Sequence, residues 1–390
     1  MKSLLPLVVL SITLGLMETG CVNQPTTPAK ADDAATYIKR GYEREDVGDF
    51  DGATADFDRA ITLNPKYSSA YDGRGAAKQA KHDFDGAIAD YDQAIALNSY
   101  DIFAYSSRGA AKQAKGDLAG ATADFDRAIT LNPNDAHVYN ARGGARKSTG
   151  DIEGAIADYT QAIVLNPTSE AALMNRGIAK KTKGDLDGAI ADYDRVLALY
   201  PTDTTAFNNR GNAKRAKGDL DGAIADFGQA IAVYPKNSFA YRGRGDLKEE
   251  RGDYDGALAD YAKSIEVEPW RATYIRFQLL LLLRRNHLDE ARAGLPAAVG
   301  GWSEGWTKTV GLLLIGVISE ADFLSKAALG NPQTVREHQC EAFYYSGMMH
   351  LFKNETSIAR GLFQRCIETG VTNFHEFKQA RVELARLAVN

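Results

Sequence analysis

Six histidines (His82, His137, His287, His338, His350, His375) and three cysteines (Cys21, Cys340, Cys366) are the side chains in these 390 residues best suited to metal or nucleophilic chemistry. None falls into H-E-x-x-H or C-x-x-C spacing, so nothing would converge on a zinc ion or a redox dithiol. Gly143, Gly144, Lys147 and Ser148 have the composition of a phosphate loop without the G-x-x-x-x-G-K order that cradles phosphate, and no G-x-S-x-G nucleophile turn occurs. The chain is therefore expected to be no enzyme and to need no metal or cofactor. A formal net charge of -5, with 25% charged and 44% hydrophobic residues, describes an ordinary folded protein and disfavours nucleic acid as a partner.

A second constellation is periodic. Arg40, Arg74, Arg108, Arg142, Arg176, Arg210 and Arg244 are each followed sixteen residues later by an aspartate, from Asp56 to Asp260. Such pairs could be struts between neighbouring helices, or the arginines could be hooks for a ligand. Recurrence in every repeat favours the strut, and guanidinium-to-carboxylate distances decide.

The elements that carry these residues follow from the Arg-Gly dipeptide, whose glycine recurs every 34 residues at Gly41, Gly75, Gly109, Gly143, Gly177, Gly211 and Gly245. With that glycine as position 8, seven repeats run from Ala34 to Arg271, with large side chains at position 4, alanine at position 20 and an aromatic ring at position 24. Gly-Asp pairs such as Gly150-Asp151 supply a left-handed turn and then a helix N-cap, with His82 replacing the glycine once. Asn-Pro pairs such as Asn166-Pro167 close the second helix.

This 34-residue pattern resembles the tetratricopeptide (TPR) repeat. The resemblance implies an all-α, right-handed superhelical solenoid that binds proteins or peptides. Two positions depart from the usual family pattern: position 7 is Arg rather than Leu, and position 11 is Lys or Arg rather than Tyr, in all seven repeats. In that family the first helices line a concave groove. Carried over to repeats four to six, the groove residues are Asn140, Lys147, Met174, Asn175, Ile178, Lys181, Asn208, Asn209, Asn212 and Arg215. Amides and cations suit an acidic segment or a C-terminal carboxylate. The alternative is that Lys147, Lys181 and Arg215 merely keep the groove soluble. Aspartates on the second helices are expected to form an acidic, solvated back.

Beyond the array, residues 272–332 read as a degenerate eighth repeat followed by irregular helices. Residues 333–390 read as a further TPR-like hairpin, with Gly347 and Phe363 at positions 8 and 24, and a capping helix. Cys340 and Cys366 occupy positions 1 and 27 of that hairpin. A disulfide is open to them, and two buried unpaired thiols are the expectation.

At the other end, Lys2, the apolar run Leu4 to Met17 and the small residues before Cys21 predict a signal peptide over 1–20 and a tether over 21–33. The junction resembles the bacterial lipobox, with Glu18 where that motif has Leu, so lipid attachment at Cys21 and simple cleavage near Gly20 both stay open. The signal, the Trp302 to Trp306 insert and the tail, including Cys340 to Gly347 and Thr372 to Phe374, are similar to the NlpI-type lipid-anchored proteins of the bacterial envelope. That resemblance implies an exported adaptor, anchored in the outer membrane and facing the periplasm, that recruits proteases or peptidoglycan hydrolases. A structural subunit of an outer-membrane assembly or secretion complex is the alternative, and a homodimer is compatible with either.

Overall fold

A computed structural model describes residues 33–268, 305–314 and 316–389. The signal segment, the tether up to residue 32 with Cys21, and residues 269–304 with the predicted eighth repeat and Trp302 lie outside the described residues.

The seven repeats are seven helical hairpins: α1 (Ala34–Asp46) with α2 (Phe50–Leu63), α3 (Ser68–Ala80) with α4 (Phe84–Leu97), α5 (Ile102–Ala114) with α6 (Leu118–Leu131), α7 (Ala136–Ser148) with α8 (Ile152–Leu165), α9 (Glu170–Lys183) with α10 (Leu186–Leu199), α11 (Thr204–Lys217) with α12 (Leu220–Val233), and α13 (Ser238–Glu250) with α14 (Tyr254–Val267). The tail adds α15 (Trp306–Leu314), α16 (Glu320–Ala327), α17 (Pro332–Phe352), α18 (Thr356–Glu368) and α19 (His375–Val389). No strand occurs among the described residues. The chain divides into an N-terminal unit ending at Asp192 and a C-terminal unit beginning at Tyr193.

Within the N-terminal unit the local chemistry sets each hairpin. Gly150 takes φ +87°, a left-handed value open to glycine, and the Asp151 carboxylate then accepts the Gly154 N–H at 2.9 Å to start α8. His82 adopts the same left-handed turn at φ +64°. Inside the hairpin the position-8 glycine faces the position-24 ring: a Cβ on Gly143 would stand 2.7 Å from Tyr159 Cε1, and Tyr159 is fully buried.

The C-terminal unit repeats these devices and extends them to the tail. Gly347 faces Phe363 at the same 2.7 Å, and Asn354 makes the left-handed turn at φ +59°. α17 starts well before that hairpin's repeat position 1, because Asn331 caps it and Pro332 occupies its first turn. Cys340 and Cys366 are buried free thiols with sulfurs 3.3 Å apart. Trp306 stacks between Phe323 and His338 and donates to Glu341 at 2.9 Å, so this part of the aromatic insert belongs to the tail's own packing. No described helix is long and apolar enough to cross a membrane.

Adjacent glycines in α7 separate packing from helix propensity. Gly143→Ala is expected to destabilise the protein by about 1–3 kcal/mol, because the new methyl overlaps a buried ring. Gly144→Ala meets the flexible Gln113 amide at 3.4 Å and the Tyr159 hydroxyl at 4.0 Å, both ordinary contacts, and should be neutral or stabilising. Equal losses of melting temperature for the two variants would contradict this packing assignment.

Candidate partner-binding face

The periodic arginines are struts. In all seven repeats the position-7 Arg grips the position-23 Asp through two bonds, with Nη2 to Oδ1 at 2.5–2.6 Å and Nε to Oδ2 at 2.8–3.0 Å. The position-11 Lys or Arg reaches the same carboxylate at 2.8–2.9 Å. These aspartates are only 2–4% exposed, so the expected solvated acidic back does not include them. Each carboxylate is desolvated but saturated with charged donors, the condition under which a buried ion pair is tolerated. The Arg40 guanidinium accordingly holds the Asp56 carboxyl below its ordinary range.

Four of these arginines also reach back to the preceding repeat, at 2.5–2.6 Å: Arg74 to Asp58, Arg108 to Asp92, Arg142 to Asp126 and Arg210 to Asp194. At repeat five the partner is Thr160, 3.2 Å from Arg176. The struts therefore tie repeat to repeat as well as helix to helix. Within each unit exposed pairs add further links between successive repeats, such as Lys183 with Glu153 at 2.6 Å and Arg251 with Asp221 at 2.6 Å. The second-helix acids thus serve largely as stitching.

With position 7 consumed, the remaining first-helix side chains are the candidates for a partner. In the N-terminal unit Asn175 donates to Asn140 at 3.1 Å, which fixes two of the expected amides against each other. Lys147 and Lys181, half-buried at the same position of successive repeats, have no ion-pair partner among the described residues. Met174 and Ile178 lie beside them in α9, both partly covered.

In the C-terminal unit Asn208, Asn209 and Asn212 lie on α11, and the Asn208 Oδ1 is buried without a hydrogen-bond partner. Arg215, expected as a third cation for a ligand, is instead held by Glu250, with Asp246 at 3.6 Å. Acids on α13 satisfy it internally, a pairing that the repeat numbering of a single helix does not display.

Two carboxylate clusters were not foreseen. In the N-terminal unit Glu45 and Asp72 occupy the same groove positions that were applied only to repeats four to six. Extending the rule to repeats one and two would have found them. In the C-terminal unit α19 folds against repeat seven. His375 stands 4.0 Å from Glu249, Arg386 lies over the Tyr254 ring at 5.1 Å, and burial followed by the Glu249 charge pushes Glu383 up to about 7. That contact is long-range in sequence and has no local signature.

Comparison with known proteins defines the class. Tetratricopeptide-repeat models match residues 34–67, 143–184, 171–203 and 208–272. The chain carries TPR repeats on an all-α TPR fold. The C-terminal part of a TPR repeat-containing protein from Cytophaga hutchinsonii is similar at 15% identity and a TM-score of 0.52, over 60% of this chain and 95% of that one. A tetratricopeptide repeat protein from Parabacteroides merdae is 18% identical with a TM-score of 0.49, over 64% and 98% of the two chains. YrrB, described as a TPR protein with an unusual peptide-binding site, is 23% identical with a TM-score of 0.42, over 47% and 95%. No curated protein matches the sequence.

The strut is testable at repeat four. Asp158→Ala leaves Arg142 and Arg146 facing an empty buried site and is expected to cost about 3 kcal/mol or more. Asp126→Ala removes a carboxylate whose side chain is 52% exposed, and should cost less than about 1 kcal/mol. Comparable melting temperatures for the two variants would refute the buried-strut assignment.

Proposed function

We propose that the protein is a non-catalytic interaction scaffold, an adaptor of the bacterial cell envelope. In this reading the first-helix face of the N-terminal unit holds a partner's acidic segment or C-terminal carboxylate. The observation that carries it is the contrast between cations. Arginines and lysines at positions 7 and 11 are engaged by buried aspartates, whereas Lys147 and Lys181 stand uncommitted on successive repeats beside an amide pair. A carboxylate laid across two such lysines gains charge-assisted hydrogen bonds in a partly desolvated setting.

The cell-envelope assignment draws on the signal-like segment, on Cys21 and on the similarity of the tail to the NlpI-type lipoproteins. In that reading the anchor holds the repeats at the outer membrane, and the partners are periplasmic proteases or peptidoglycan hydrolases. Trp306 favours the repeat face over the tail as the docking surface, because its ring is already stacked and its indole N–H already bonded.

A fluorescently labelled acidic peptide with a free C-terminus tests the groove. Replacing Lys147 and Lys181 together with Ala should weaken its binding about tenfold or more, with helix content and melting temperature unchanged. Added salt should weaken wild-type binding. Arg215→Ala should leave the affinity as it was, and binding indifferent to both salt and the lysine pair would reject this face.

The anchor is tested separately by fractionation of cells that express the full chain. The wild type should partition with membranes and Cys21→Ser should appear in the soluble periplasmic fraction. Identical distribution of the two argues against lipid attachment.

A further inference from the structure

We propose that the groove of repeats one to three takes an arginine side chain of the bound segment, seated against Asp72 and Glu45 with Tyr42 and Phe103 as aromatic walls. The inference rests on the groove reading above and deepens it: the segment would carry a basic residue at repeats one to three and an acidic group at Lys147 and Lys181, which fixes its direction.

Asp72 is the anomaly from which the inference starts. It is only 5% exposed, and its Oδ1 has no hydrogen-bond partner. Each buried aspartate of the strut row is gripped by two cations, yet neither Asp72 nor Glu45 has an ion-pair partner among the described residues. A buried carboxyl without a counter-ion avoids the cost of a buried charge by staying protonated, and a partner's cation is the group that would let it ionise.

The surroundings select the cation. Tyr42 and Phe103 remain 38% and 50% exposed although both belong to first helices. Tyr42 is held by a hydrogen bond from its hydroxyl to the Ser69 carbonyl at 3.0 Å and by an edge contact with Phe57 at 5.2 Å, and Phe103 packs edge-on to Tyr91 at 6.3 Å. Rings held in this way offer faces to a planar, weakly hydrated guanidinium, which can also bond two carboxylates at once. A lysine ammonium would match the charge but not the walls.

The site is linked to protons. Burial, then the Asp101 charge and a hydrogen bond shared with the Asp101 carboxyl, push Asp72 up to about 8, while burial and then Asp46 push Glu45 up to about 7. The titratable groups facing them are Tyr42 and Asp46 on α1, Tyr91 on α4 and Asp101 at the start of α5, and none of these is a cation at neutral pH. Tyr91 donates to Gln79 at 3.2 Å and Asp101 accepts the Ala104 N–H at 3.1 Å. Near neutral pH the empty site therefore keeps Asp72 protonated. A bound guanidinium favours the ionised carboxylate, so binding releases a proton and affinity rises as pH climbs toward about 8. The stability of the unliganded protein runs the other way: a carboxyl raised in the folded state binds more protons there than when unfolded, and its contribution falls from about pH 4 to about pH 8.

The test uses the full chain and a labelled peptide of alternating arginine and glycine-serine, beside the same peptide with citrulline at each arginine. Fluorescence anisotropy should show the arginine peptide bound about tenfold or more tighter than its neutral counterpart, with its affinity rising by more than about tenfold between about pH 6 and about pH 8. Asp72→Asn keeps the side chain's shape and should remove both the preference and the pH dependence, with melting confirming the fold. The Lys147 and Lys181 double variant should bind the arginine peptide as the wild type does. Equal binding of the arginine and citrulline peptides, or a pH dependence that survives Asp72→Asn, overturns the inference. If the acidic peptide still binds in that case, only this inference fails; if it also fails to bind, the groove reading fails with it.

Discussion

The position-7 arginine grips the buried position-23 aspartate in a two-pronged contact, and the rest of each hairpin is arranged around that contact. A buried carboxylate with one missing donor would be a liability, so the position-11 cation of the same repeat completes its coordination. The requirement is geometric as well as electrostatic, since a planar guanidinium bonds both carboxylate oxygens only when the two helices hold a fixed spacing. The position-8 glycine and the position-24 ring set that spacing from the other side, as Gly143 against Tyr159 shows. Polar strut and apolar stack therefore determine the same interhelical distance.

One consequence concerns what is left over. When a repeat commits its most regular charges to architecture, the variable first-helix positions are the ones free to differ between repeats, and the N-terminal unit uses them unevenly. Its early repeats carry unpaired acids among aromatic rings, and its later repeats carry unpaired lysines beside a hydrogen-bonded amide pair. That polarity cannot come from the repeating scaffold, which is the same in each hairpin. It is held in a few positions where the repeats stop resembling each other.

The C-terminal unit shows a different use of the same hairpin. Its last helix, α19, turns its buried Gln379 and Glu383 inward, with His375 and Arg386 reaching Glu249 and Tyr254 of repeat seven. First-helix positions that stay open in a regular repeat are covered there by α19. Arg215 is likewise neutralised by acids of the following repeat. In this unit, internal pairing has taken several of the groups that a partner would otherwise meet.

The sequence by itself determined the hairpins: the 34-residue period, the left-handed turn at Gly150 or His82, the aspartate caps and the glycine opposite each ring are all local or short-period signals, and each hairpin is assembled from residues about sixteen apart. It also favoured pairing Arg with Asp, because the relation recurs seven times, and the guanidinium-to-carboxylate distances then decided it. It did not determine which groove charges stay free. Lys147 and Arg215 occupy the same repeat position, and only the packing of α13 beside α11 decided that one is uncommitted and the other held by Glu250. The acidic back expected of the second helices leaves out the position-23 acids for a related reason, since burial depends on what the neighbouring helix covers. Tertiary structure decided these points because a charge's state depends on the dielectric and partners around it, which chain-distant elements supply after the local helices have formed.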